Sequence, residues 1–235
     1  MNAEKAIALD PLLPEAYATQ GLVGASDLNW PLAEKWYRKA LDLNPNLAYV
    51  REDFALFVLL PEGRIDEAVQ QSRRAVELDP LTPARRVMLS FILLSAGKFE
   101  EAQKIAGAVY FANSRELFAG QNYCRALILQ GHLTEAIKLL ENLGPGSYGV
   151  LGYAYAKSGN REKAQALANT NDPAVSRHRV LIYAGLGDKD RCFEALQVVA
   201  SDHDGLADVY PSYPELAWLK NAPRMKAFRQ SRNLN

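Results

Sequence analysis

The sequence predicts an all-α fold, a right-handed α-α superhelix or solenoid of stacked helix pairs, and three observations carry that prediction. The first is a repeat. The segment Lys39-Ala40-Leu41-Asp42-Leu43-Asn44-Pro45 returns as Arg74-Ala75-Val76-Glu77-Leu78-Asp79-Pro80, with an earlier copy at Lys5-Ala6-Ile7-Ala8-Leu9-Asp10-Pro11, so the closing prolines stand 34 and 35 residues apart. A period of that length marks an array in which each unit buries its apolar face against the next. Second, each unit between prolines contains two amphipathic runs separated by a turn. Third, the chain has the composition of a folded protein, 49% hydrophobic with 27 Lys+Arg against 27 Asp+Glu over 235 residues, which separates it from disordered, highly charged sequences.

Taken in order, residues 1–13 read as the second half of a truncated repeat. Its apolar face, with Ala3, Ala6 and Ile7, lacks the first helix that should cover it, so the natural start is expected upstream, and the uncovered edge is a candidate surface for homodimer formation. Residues 14–200 read as six helix pairs. In the first, Gly21 and Ala33 let two helix axes approach while Tyr37 fills the space beside them. Asn44 and Asp79 end second helices because the following proline cannot continue the helix and biases its predecessor towards extended angles. The second unit carries one extra residue around Leu60-Pro61-Glu62-Gly63-Arg64. Residues 201–235 break the period and read as a C-terminal cap with a polar outer face, ending in a basic helix that starts at Pro223. That helix has four basic and no acidic side chains from residue 221 onward. The favourable interaction of cations with a helix C-terminus accounts for them better than nucleic acid does.

The set Tyr17, Gly21, Ala33, Tyr37, Ala40 and Pro45 resembles the signature of the tetratricopeptide repeat. The likeness continues through Ala55, Ala68, Ala75 and Pro80, through Leu89, Gly97 and Ala102, and through Leu127, Gly131 and Ala136. It then runs through Leu151, Gly152, Tyr155, Gly159 and Ala164 to Tyr183, Gly187 and Leu196. Cys192 stands where alanine is usual, which points to a buried small apolar residue. The run from Leu181 to Leu196, the Trp218-Leu219 and Ala222-Pro223-Arg224 segments and the Asp27-Leu28-Asn29-Trp30 turn resemble the C-terminal region of large bacterial regulators. In those a tetratricopeptide array follows a winged-helix, kinase or nucleotide cyclase domain. That resemblance implies a sensing or docking half and carries over no catalytic residue. Some members of the repeat family grip a chaperone's C-terminal carboxylate with Lys and Asn side chains, and here those places hold Ala18, Leu22, Glu52 and Leu56.

First helices of stacked pairs line the concave side. The repeat register places Tyr49, Glu52, Phe91, Phe118, Gln121, Arg125, Tyr153, Lys157 and Arg177 on that groove, aromatic at its centre, acidic towards its start and basic towards its end. The whole chain follows the same gradient, with 13 basic and 16 acidic side chains through residue 120 and 14 and 11 beyond it. A protein or peptide partner with an apolar centre and an acidic end suits this surface, Arg125, Lys157 and Arg177 meeting the carboxylates; the competing reading is that these side chains are solvated or bind a segment of the chain itself. The function this supports is a noncatalytic interaction scaffold, with a regulatory domain and a self-association module as alternatives.

Other chemistry is not supported. Charge balance removes the electrostatic basis for nucleic acid as main partner. The apolar runs Phe54 to Leu60 and Val87 to Leu94 are far shorter than the roughly 20 residues of a membrane span. Cys124 and Cys192 make no disulfide framework, and the first residues lack a signal-peptide core, so a cytoplasmic setting is expected. The string Gly144-Pro145-Gly146-Ser147-Tyr148-Gly149 matches a dinucleotide fingerprint only formally, since a helix over Leu133 to Leu143 precedes it where a strand is required. The Asp202-His203-Asp204 triplet has metal-ligand types without converging partners. Neither cofactor, metal nor catalytic residue is expected.

Overall fold

The computed structural model describes residues 3–170, 178–202 and 205–234. After α1 (Ala3–Leu9), first and second helices alternate: α2 (Pro14–Ser26) with α3 (Trp30–Leu43), α4 (Ala48–Phe54) with α5 (Ile65–Leu78), and α6 (Pro83–Ser95) with α7 (Phe99–Ala112). They continue as α8 (Leu117–Leu129) with α9 (Leu133–Leu143), α10 (Tyr148–Lys157) with α11 (Arg161–Asn169), and α12 (Arg179–Leu186) with α13 (Lys189–Ser201). Three 3-10 turns, Gly205–Asp208, Tyr210–Ser212 and Pro214–Leu219, lead into α14 (Pro223–Ser231). No strand occurs among the described residues, and no helix there is long and apolar enough to cross a membrane.

The repeat signature acts as close packing. A Cβ on Gly21 would stand 2.8 Å from the Tyr37 ring, and Tyr37, Ala33 and Ala40 are fully buried between α2 and α3. Ala68, Ala102, Ala136 and Ala164 repeat that burial in later units. The second helices end as the prolines require, with Asn44 at φ −143° and Asp79 at φ −135°. Cys192 is buried, its thiol facing the Val180 carbonyl at 3.5 Å, and burial with the nearby Asp188 charge pushes it up to about 12.

The turns between paired helices follow one rule with one exception. Gly63, Gly97, Gly131, Gly159 and Gly187 all take the left-handed conformation, and the next N–H reaches back to close the first helix, as Lys98 does to Leu93 O at 2.9 Å. In the first unit Leu28 occupies that place at φ +57°, a conformation that costs a branched side chain about 1 kcal/mol. The second unit's extra residue is absorbed before the turn, where α4 widens into a π-helix over Ala55–Leu59 and Leu60 N bonds to Ala55 O at 3.0 Å.

At the start of the chain, α1 packs on α2 with Ala3, Ala6 and Ile7 half-buried and Leu9 exposed. The tail does not stop against α13. Its last turn reaches the opposite end of the array, where Trp30 Nε1 donates to Arg232 O at 2.8 Å and Asn233 Nδ2 to Leu28 O at 3.2 Å. First and last units are thereby tied together across a separation of 202 residues.

Candidate functional site

The first helices at the middle of the array hold a segment of the chain itself. Arg125, from α8, is buried at 4% exposure of its side chain against Glu215 at 2%, with Nε to Oε1 at 2.6 Å and Nη2 to Oε2 at 2.9 Å. The guanidinium lies 4.2 Å from the centre of the Tyr213 ring and 5.5 Å from that of Phe91. Phe91 and Tyr213 meet edge to face at 5.5 Å, and the Ser95 and Ser212 hydroxyls share a hydrogen bond at 3.3 Å. Burial works against the charge on Arg125, and the Glu215 carboxylate more than restores it, raising the guanidinium above its ordinary value. Tyr153, also buried, is pushed up to about 12 by burial and by the Glu215 charge, with Arg125 opposing.

The segment is two 3-10 turns, Tyr210–Ser212 and Pro214–Leu219, joined through an extended Tyr213, and it is apolar on its inner side. Pro211 and Pro214 interrupt any continuous helix, while Val209, Tyr210, Leu216 and Leu219 are almost fully buried. Arg232 grips Asp208 through two bonds, 2.6 and 2.9 Å, Arg224 pairs with Asp190 at 2.8 Å and Arg229 Nη1 donates to Pro61 O at 3.4 Å, so at least three of the four basic residues of the last helix region have partners within the chain.

The nine residues placed on the groove by register therefore separate into groups. Phe91, Arg125 and Tyr153 surround the tail. Gln121 is buried but turned to the neighbouring unit, where its Nε2 donates to Gly146 O at 2.8 Å. Glu52 pairs with Arg85 at 2.9 Å; burial raises its carboxyl and that partner opposes the shift. Beside it Asp53 is pushed up to about 6, by burial first and by Glu52 second. Phe118 is 64% exposed, Tyr49 half-buried and Lys157 exposed. Arg177 lies outside the described residues, as do His203 and Asp204 of the acidic triplet. Among the described residues no three His, Cys, Asp or Glu side chains are grouped as metal ligands.

Sequence reasoning missed Tyr213 and Glu215 as the partners of Phe91 and Arg125. The signal was present: an aromatic and proline-rich run carrying one carboxylate matches the apolar, acid-tipped ligand inferred for the groove.

No family model and no curated protein sequence matches the chain. Its backbone is similar to solved structures of helical repeat proteins. YrrB, described as a TPR protein with an unusual peptide-binding site, is 19% identical over 84% of this chain and 98% of its own, with a TM-score of 0.55. Pseudomonas aeruginosa pilF is 16% identical over 93% and 97%, with a TM-score of 0.57. A Rap protein complexed with Competence and Sporulation Factor is 15% identical over 94% and 73%, with a TM-score of 0.59. The chain folds as a tetratricopeptide-repeat solenoid. In tetratricopeptide terms, the first helices of the third, fourth and fifth units supply Phe91, Arg125 and Tyr153, one residue each, to the seat that holds the tail.

Proposed function

We propose that this chain is a noncatalytic protein-interaction scaffold whose concave face recognises a peptide or a segment of a partner protein. The observation that carries the reading is the seating of Tyr210–Leu219 against the first helices, by an edge-to-face ring pair and a bidentate carboxylate pair, contacts of the kind by which a helical groove grips a peptide. The similarity to YrrB and to Rap, whose descriptions name a peptide-binding site and a bound factor, is consistent with it. A partner engages the groove positions that the tail leaves accessible, Tyr49, Phe118 and Lys157. Phe118 is the anchor of choice, since a large exposed aromatic at a groove position contributes most when a partner desolvates it.

Selection from a displayed random-peptide library tests this. Peptides enriched on the wild-type chain should lose at least tenfold in affinity for a Tyr49→Ala, Phe118→Ala, Lys157→Glu triple variant of unchanged helicity; equal binding to both would overturn the assignment. The same internal occupancy supports a second, regulatory reading, because a groove filled by its own chain is one whose availability is controllable.

A further inference from the structure

The seat around Arg125 is built for a ligand with defined chemistry. Its elements are an aromatic ring, held edge-on by Phe91 and facewise by the guanidinium, and a carboxylate two residues later that takes both Arg125 donors. A buried guanidinium needs that carboxylate, because an unpaired charge in this position is strongly unfavourable. The tail that supplies both groups is fastened at its far end by Arg232, Asn233 and Arg229, the last donating to Pro61 O at 3.4 Å. Arg232 accepts the Trp30 indole N–H at its carbonyl and holds Asp208 with its guanidinium, so the same residue connects the first unit to the start of the seated segment. Beside it the fastening includes two non-glycine residues in left-handed conformation, Leu28 at φ +57° and Asn233 at φ +55°, joined by the Asn233 side chain to the Leu28 carbonyl. Backbone conformations of this kind persist only where surrounding contacts hold them.

We propose that Tyr213-Pro214-Glu215 is an internal stand-in for a partner segment of the same chemistry, a tyrosine followed two residues later by a carboxylate and flanked by apolar residues, and that the Arg232 fastening controls access of that partner to the Arg125 seat. The competition has a definite scale. A tethered segment acts at an effective concentration of about millimolar. An external copy of the segment at about 100 μM therefore replaces a segment held by its tether alone in roughly one molecule in ten, and in fewer while the fastening also holds. This seat is distinct from the accessible positions Tyr49, Phe118 and Lys157, so failure here leaves the proposed function standing, and failure there leaves this seat standing.

The experiment measures binding of a labelled peptide with the sequence of Ala207 to Lys220, and of its Glu215→Gln form, to the full chain and to its Arg232→Gln variant. The glutamine side chain cannot reproduce the two bonds to Asp208. The variant should bind the Glu215 peptide at least fivefold more tightly than the wild type does, and the Gln peptide at least tenfold more weakly than the Glu peptide. Equal affinity for the two peptides, or no binding to an Arg232→Gln chain of wild-type helicity, would overturn the proposal. Should that variant lose helicity, the full-length Trp30→Phe chain, which keeps the Asp208 pair and loses the indole donor, takes its place with the same expected order. Sedimentation without peptide provides a last arm: a concentration-dependent dimer of the loosened variant overturns the partner in favour of tail exchange between two copies.

Discussion

The first two units and the middle of the array use charge in opposite ways. In the first two, Glu34, Arg38, Glu62, Arg64 and Glu67 form a chain of ion pairs on the outer helices and the turn between α4 and α5, with side-chain exposures between 24% and 48%. In the middle, Arg125 and Glu215 form one pair with almost no exposure. The outer network coincides with the most regular part of the repeat signature, where Tyr37 and small residues supply the packing. The buried pair lies where the signature drifts, beside a second polar group in which Asn122 bonds to Val87 O and Ser90 Oγ, each at 3.0 Å. The drifted units seat Tyr213 and Glu215, whereas the first unit holds the end of the tail through neutral hydrogen bonds at Trp30 and Leu28, so buried charge is confined to the place where one segment is fixed in one register.

The strongest way to break the comparison is to remove one member of the buried pair. Arg125→Ala leaves Glu215 uncompensated and should cost about 3–5 kcal/mol of unfolding free energy, measured by urea titration. The double variant Arg125→Met, Glu215→Leu should recover most of that loss, because replacing both charges by apolar groups of similar volume is close to neutral. A single variant that loses under about 1 kcal/mol would mean that the seat contributes no more than the surface pairs do.

Legibility followed the same division. The helix pairs were readable because period, proline closure and turn glycines each reflect a local constraint that one residue type meets best. The Leu133–Leu143 helix and the turn after it are of this kind. Positions on the first helices were readable from register, and the occupant found at Arg125 is the competing expectation, a segment of the chain itself. What register does not give is which carboxylate arrives, since Glu215 is 90 residues away and its approach depends on the curvature of the whole stack. The return of the tail to Trp30 was hidden for the same reason. Its basic helix reads locally as a cap, whereas Arg232 gains its meaning only from Asp208 and from a first unit that the superhelix brings near.

A smaller effect sharpens the contrast from the first half of the groove. Asp53 has its carboxyl pushed up to about 6 by burial and by Glu52, with Arg85 opposing, against an ordinary value of 3.8. A carboxyl raised on folding binds its proton more readily in the folded chain, so its ionisation destabilises the fold as pH rises from about 4 through 6. Asp53→Asn should stabilise the protein at pH 7 by about 1–2 kcal/mol, an advantage that shrinks towards zero as pH falls below about 4. Paired thermal melts of wild type and variant across that window measure it, and a pH-independent difference would assign the gain to something other than the proton.

The smallest expected effect concerns the outer network. Arg38 bonds to Glu34 at 2.7 Å and to Glu67 at 2.9 Å, yet its side chain is 48% exposed, so water and salt screen both pairs. Arg38→Gln keeps most of the aliphatic stem and removes the charge. It should cost less than about 1 kcal/mol at low ionic strength, and the difference should fall further in 1 M salt, where the screening length is about 3 Å. The Arg125→Ala loss should survive the same salt, because ions do not enter a pair buried under Tyr213. Similar salt sensitivity in the two variants would collapse the distinction between outer and inner charge, since it would require solvent at Arg125.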